Sequence, residues 1–289
     1  TGGTDSSPGG ESPVTGGTTG ASDAGGKAGN TSGPIPVDNG PQAEVGKVDL
    51  LLAVDNSISM AEKQKLFAKA VPELVKRLVN PRCVSTQGEV VAEPATPDTP
   101  CPAGSTREFD AVRDLHVGVI TSSLGSHGAN GAKDVCVQAN DDDHAHLIPS
   151  VRANVPSYDG KGYLKWDPDG QASPPGESDP QAFASSLGAM ITAAGETGCG
   201  YEAQLESVYR FLVDPEPPQS IQLQGTLTVP TGVDATLLEQ RANFLRPDSS
   251  VVVLMLTDEN DCSVQDEGYG WLIASSSAMF RSTSGCAAN

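Results

Sequence analysis

Apolar positions in this chain fall into a few short continuous runs and a few helical stripes, separated by long polar stretches. Val48-Asp-Leu-Leu-Leu-Ala-Val54 is a nearly unbroken apolar run that stops at Asp55. A run this short and without alternation suits a strand buried on both faces of a parallel sheet. Beyond it, Leu66, Phe67, Ala70, Val71, Leu74, Val75 and Leu78 recur at three- and four-residue steps. That spacing predicts an amphipathic helix of about four turns, running through Val79 and closed by Asn80-Pro81, because a residue before proline avoids the helical region. Pro72 lies inside the stripe, where a kink is expected.

Residues 81–113 read as a Pro- and Cys-bearing loop, and His116-Val-Gly-Val-Ile-Thr121 as a second short strand. Residues 126–180 are polar and rich in Gly, Asp and Pro, the composition of a functional or disulfide-tied insertion. A weak helical pattern follows over 181–194 (Phe183, Leu187, Met190, Ile191), and a better one over 201–213, with Ala203, Leu205, Val208, Tyr209 and Leu212 on one side. A third insertion, 214–243, precedes the strongest apolar run, Val251-Val-Val-Leu-Met-Leu256, which ends at Thr257-Asp258. Strands alternating with helices predict an α/β domain with a mainly parallel sheet. Ligands of such sheets gather beyond the carboxyl ends of the strands, where Asp55 and Asp258 are both expected.

Charge and composition narrow the partners. The 289 residues hold 37 Asp+Glu against 18 Lys+Arg, a net charge of −19. Without a basic cluster there is no surface to release counterions from a phosphate backbone or to meet anionic headgroups, which argues against nucleic acid and anionic membrane. Residues 1–45 are dominated by Gly, Ser, Thr and Pro. They lack the apolar surface to offset ordering entropy and read as a disordered tether, leaving 46–289 as the folded domain. The chain contains neither a signal-peptide pattern nor a transmembrane run, and reads as a processed or trimmed form, with a lipid anchor upstream of residue 1 compatible with the tether. Six cysteines without C-x-x-C spacing favour disulfides in an extracytoplasmic compartment: cell surface, outer-membrane-associated or secreted. Proximity suggests Cys83 with Cys101 and Cys262 with Cys286, each closing a local loop, which leaves Cys136 with Cys199.

The chemistry concentrates in Asp55-Asn56-Ser57-Ile58-Ser59, a D-x-S-x-S string between the first strand and the first helix. A loop leaving a strand tip can aim a carboxylate and two hydroxyls at one point, and hard oxygen donors suit Mg²⁺. These residues resemble the von Willebrand factor type A domain and its metal-ion-dependent adhesion site. The matching positions are Asp55, Ser57 and Ser59, then Thr197 in Glu196-Thr-Gly-Cys-Gly-Tyr-Glu202, then Asp258 in Leu256-Thr-Asp-Glu-Asn-Asp261. The resemblance covers about 46–262. It implies a Rossmann-like fold with the sheet flanked by helices, and a Mg²⁺ (or Mn²⁺ or Ca²⁺) ion held directly by Ser57 and Ser59. Asp55, Asp258 and Thr197 would act directly or through water. The open coordination position would take a carboxylate from a partner protein, making the chain a binding or adhesion protein rather than an enzyme.

Glu259 and Asp261 add negative charge beside that site. They also supply the base or second-metal ligand for the alternative, a Mg²⁺-dependent hydrolase or phosphoryl-transfer enzyme. A third reading is a structural surface module stiffened by metal. After Asp258 the sequence holds one apolar patch, Trp271-Leu-Ile273. The strand carrying Asp258 is therefore expected to keep an open edge, the chain being a fragment with an incomplete C-terminal part or its sheet being completed by a partner.

Three other patterns have plain structural readings. Gly198-x-Gly200-x-x-Ala203 imitates a dinucleotide fingerprint, but no strand precedes it, and its glycines are expected to let the backbone pass close beneath the metal site. Asp141-Asp-Asp-His144-Ala-His146 reads as an exposed acidic loop, and Asp167-x-Asp169-Gly170 as a turn.

Overall fold

A computed structural model of the chain describes residues 46–127, 136, 142–225 and 227–265, all within the unit Gln42–Asn289. The expected tether and the Cys262–Cys286 pairing lie outside the described residues. In chain order the elements are β1 (Lys47–Val54), α1 (Ala61–Val79), β2 (Cys83–Ser85), β3 (Val90–Ala92), β4 (Ser105–Arg107) and β5 (Asp114–Thr121). They continue with α2 (Ile148–Val151), β6 (Leu164–Trp166), α3 (Pro180–Ala193), α4 (Gln204–Leu212), β7 (Ser220–Gln224), β8 (Leu227–Thr231), α5 (Ala235–Phe244) and β9 (Ser250–Leu256).

The central sheet has the order β6-β5-β1-β9. β1 pairs in parallel with β5 and β9, while the short β6 runs antiparallel along the outer side of β5. Alternation along β1 splits the core into two layers. Leu50, Leu52 and Val54 join Leu115, Val117 and Val119 under α1 and α3, which contribute Val71, Val75, Phe183, Leu187 and Ile191. Leu51, Ala53 and Ile120 face the other way, onto Phe211 of α4 and Leu237 and Phe244 of α5. The domain is thus α/β, with a mostly parallel sheet flanked by helices on both faces. Leu51 and Leu52 are fully buried, one in each layer, each contributing about 2 kcal/mol. A glycine in the middle of β5 has a packing cause: a Cβ on Gly118 would stand 2.7 Å from Leu147 and 3.1 Å from Phe244.

Asp49 interrupts the apolar run of β1, and it is completely buried. It survives there because Arg246 donates to it from the main chain at 2.8 Å and from Nε at 2.9 Å, while Ser249 Oγ donates as well. The same guanidinium donates to Asp114 and to the Val48 carbonyl. Arg246 therefore ties β1 to β5 at the amino ends of the strands, opposite the end where Asp55 and Asp258 lie.

Several expectations need correction. α1 begins earlier than its stripe suggested, and Leu66 and Ala70 are exposed while Gln64 is buried. The buried line runs through residues 60, 64, 71, 75 and 79, because Gln64 is drawn inward by two carbonyls. On α4 the expected apolar face is split: Leu205 and Tyr209 are exposed, Ala203 is buried and Val208 and Leu212 pack against the core, while Gln204, Ser207, Arg210 and Phe211 are also buried. Residues 81–113 are not a loop but a three-stranded antiparallel sheet of order β3-β2-β4, tied by Cys83–Cys101. The 214–243 insertion contains the β7–β8 hairpin and most of α5, whose Phe244 belongs to the core. In the expected acidic loop, Asp143 is buried and takes Arg152 through both guanidinium nitrogens at 2.6 and 2.9 Å, and His146 meets Asp234 at 2.6 Å. Asp167 does form the expected turn, accepting from the main chain of Gln171, Ala172 and Gly176.

Among the described residues, β9 is the edge strand of its sheet, as expected for the strand carrying Asp258. Val251, Val252, Leu254 and Met255 are all more than a third exposed, so both faces of the strand are uncovered. Among the described residues, no helix is long and apolar enough to cross a membrane.

Candidate functional site

The carboxyl ends of β1 and β9 stand side by side, with Val54 opposite Leu256 in the register. The pairing extends one residue further, the Asp55 main chain donating to the Leu256 carbonyl at 2.9 Å. Both strands then release their chains at the same point, which brings Asp55 and Asp258 together across 203 positions of sequence. The parallel arrangement is what makes this possible, since antiparallel neighbours would send the two ends to opposite sides of the sheet.

From this junction the loop 55–59 turns tightly. Asp55 Oδ1 accepts from the Ser57 main chain at 2.8 Å, and its Oδ2 accepts from Thr257 Oγ1 at 2.9 Å. Ser57 Oγ lies 3.2 Å from Ser59 Oγ, and Ser59 Oγ donates to Asp258 Oδ1 at 3.0 Å. Asp55 and Ser57 are buried and form the floor; Ser59 and Asp258 are exposed and form the rim. Ile58, between the two serines, is 84% exposed. Asp55 and Ser57 do not act as the helix cap that such residues often supply, since neither helix start in this stretch carries a side-chain cap bond.

Thr197 is exposed, on the segment that follows α3. That segment is drawn against the 55–59 loop at two points. Gln64 bridges the Asp55 and Gly195 carbonyls, donating to both at 2.8 Å, and the Gly198 main chain donates to the Asn56 carbonyl at 2.8 Å. Asn56 Oδ1 in turn accepts from Ser123 Oγ, which itself accepts from the Cys199 main chain at 2.9 Å. The Cys136–Cys199 disulfide holds the segment to the 126–180 insertion. Gly198 is required by space: a Cβ there would fall 2.3 Å from Asn56 Oδ1 and 2.5 Å from Ser123 Oγ. The glycine thus passes close beneath the site, as its motif suggested.

The surroundings are strongly acidic. Glu202 is buried, and burial, reinforced by Asp55, Glu259 and Asp258, pushes its carboxyl up to about 7. Asp258 is held below the usual carboxylate range, chiefly by Lys63, whose ammonium donates to Asp258 Oδ2 at 2.6 Å and to the Ser59 carbonyl at 2.9 Å. Asp261 has a different task from the one its position suggested. It accepts from the Leu205 main chain at 3.0 Å while Ser263 Oγ accepts from that of Glu206, so the chain after β9 caps α4.

Of the five sequence-predicted residues, Asp55, Ser57, Ser59 and Asp258 form one hydrogen-bonded row, and Thr197 lies on the segment pinned beside it. Lys63, Glu202, Thr257 and Asn56 were given no role from sequence. Lys63 carries a readable signal, four residues beyond Ser59 on the same helical turn, whereas Glu202 reaches the site only because β5 and α4 converge.

The donor set suits a small hard cation. It offers hydroxyl and carboxylate oxygens, a hydroxyl that can give its proton to a carboxylate and keep lone pairs for a metal, and surplus negative charge already countered by an ammonium. Among the described residues, no three His, Cys, Asp or Glu side chains converge as a metal cluster, so any binding here relies on the serines. No family model matches the chain, nor does any curated protein or any solved structure.

Proposed function

We propose that the chain carries a von Willebrand factor A-type, Rossmann-like domain that works outside the cytoplasm as a binding or adhesion protein. It recognises a protein ligand through a divalent cation, Mg²⁺ or in its place Mn²⁺ or Ca²⁺. The observation that carries this reading is the 3.0 Å bond from Ser59 to Asp258, which joins the D-x-S-x-S loop to the end of a strand 199 residues away. Ser57 and Ser59 would hold the ion, with Asp55, Thr197 and Asp258 around it; when bound, the ion supplies a Lewis-acidic position for a partner carboxylate. Exposed Ile58 gives that partner an apolar contact at the rim. The two disulfides support an oxidising compartment.

Isothermal titration with Mg²⁺, Mn²⁺ and Ca²⁺ tests the reading. Saturable binding is expected in the wild type, and loss of at least about tenfold in affinity in Asp55→Ala and Asp258→Ala. No binding by the wild type, or no change in the variants, would sink it.

One observation favours a second reading, metal-assisted hydrolysis or phosphoryl transfer: a buried carboxyl, Glu202, titrating near 7 beside the same cluster. A base matched to neutral pH is what proton transfer requires. Metal-dependent turnover of p-nitrophenyl phosphate that disappears in Glu202→Gln would favour it over adhesion.

A further inference from the structure

We propose that Lys63 is a built-in counter-cation of the candidate metal site, holding Asp258 when no divalent ion is bound and leaving it when one binds. The inference rests on the divalent-cation reading and adds to it a regulating residue that competes with the metal.

Lys63 lies in the first turn of α1, where a positive charge is unfavourable against the helix dipole. Its position is explained by what it reaches. The side chain folds back four residues, and Nζ donates to the Ser59 carbonyl at 2.9 Å and to Asp258 Oδ2 at 2.6 Å. It therefore spans the two chain segments that a cation at this site would join, the D-x-S-x-S loop and the end of β9. Among the described residues, this is the only ion pair Asp258 makes. Ser59 occupies the other carboxylate oxygen, so the whole Asp258 headgroup is engaged.

A divalent ion on Ser57, Ser59 and Asp258 would stand within a few ångströms of this ammonium, at the carboxyl ends of β1 and β9. Like charges at that distance repel strongly at the effective dielectric of a protein surface, and Asp258 gains more from the doubly charged ion. Lys63 can leave at little cost, because its side chain is already 47% exposed. The ammonium thus keeps Asp55 and Asp258 from repelling the loop open in the empty site, and sets a threshold that a metal must exceed.

Two measurements on the full chain test this. The first is titration of Mg²⁺ and Mn²⁺ into wild type, Lys63→Gln and Lys63→Arg. Removing the charge while keeping a polar, unbranched side chain is expected to tighten binding about tenfold, the order of one lost unit-charge repulsion near a surface; Lys63→Arg should bind like wild type. The second is labelling of wild-type amines with an N-hydroxysuccinimide ester, read at Lys63 by peptide mass spectrometry. Labelling of Lys63 should rise on saturation with Mn²⁺, while that of Lys69, on the exposed side of α1, should not change. Equal or weaker metal binding by Lys63→Gln overturns the role of Lys63 and leaves the metal site standing. Should Lys63→Gln not fold, unchanged labelling of Lys63 at saturating Mn²⁺ overturns it instead. Absence of binding by any of the three proteins overturns the metal reading and this inference together.

Discussion

Gly198→Ala is the sharpest perturbation of the site, because it adds one carbon and removes no interaction. Gly198 does not need a positive φ, so alanine meets no backbone strain and the effect is purely one of space. The new Cβ would stand 2.3 Å from Asn56 Oδ1, 2.5 Å from Asn56 Cγ and 2.5 Å from Ser123 Oγ. Relief requires about 1 Å of separation to reach ordinary contact. Asn56 and Ser123 are both fully buried and cannot swing into solvent. The movement must therefore stretch the bond from Ser123 to Asn56, at 2.8 Å, or that from the Gly198 main chain to the Asn56 carbonyl, also 2.8 Å. Overpacking costs about 1–3 kcal/mol and an unmade buried hydrogen bond a further 1–3. The sum, about 2–5 kcal/mol, is a large fraction of a typical domain's stability. Urea unfolding should show that loss in the midpoint, and metal titration should show weaker binding, since the Thr197 segment is pushed from the 55–59 loop. Adding Asn56→Ala should make the double variant less destabilised than the sum of the singles. An unfolding free energy within about 0.5 kcal/mol of wild type, the scale of ordinary surface substitutions, would refute the reasoning.

Three further outcomes are expected. Arg246→Met leaves buried Asp49 without its guanidinium and should cost about 3–5 kcal/mol in urea unfolding, part of it recovered by adding Asp49→Asn; a loss under about 1 kcal/mol would contradict the role given to Arg246. His116 is pushed down to about 4, first by burial and then by Arg246 and Lys165. It stays neutral in the fold while the unfolded chain takes up a proton below 6.5, so stability is full above 6.5 and falls by about 3 kcal/mol as pH drops toward 4, a slope that His116→Asn should remove. Glu202 has the opposite sign. Its carboxyl keeps a proton in the fold up to about 7 but loses it above 4.5 when unfolded, so stability falls as pH rises through that window. Glu202→Gln should abolish that fall and be more stable than wild type at pH 7.5, by up to about 3 kcal/mol.

The sequence by itself determined the three long strands, the helices α1, α3 and α4, the α/β class and the two carboxylates at strand tips. Each of these rests on local information: a continuous apolar run reads as a strand, although the run of β9 is uncovered on both faces where those of β1 and β5 are buried, and a residue that ends such a run stands at the strand's end. Cys83–Cys101, expected from proximity, and Cys136–Cys199, expected as the remaining pair, are present. Only the tertiary structure decided which residues of α4 turn inward, because Gln204 and Arg210 are buried there, Arg210 paired along the helix with Glu206, and no periodicity of apolar residues reports that. It also decided that 81–113 folds as a small sheet of three-residue strands, too short to leave a pattern. In the site the division is the same. The D-x-S-x-S loop is local and legible, whereas the acid that titrates near 7, the ammonium on Asp258 and the capping role of Asp261 depend on distances between segments that lie far apart in sequence. Charge and burial are properties of the assembled neighbourhood, and it is the parallel pairing of β1 with β9 that assembles it.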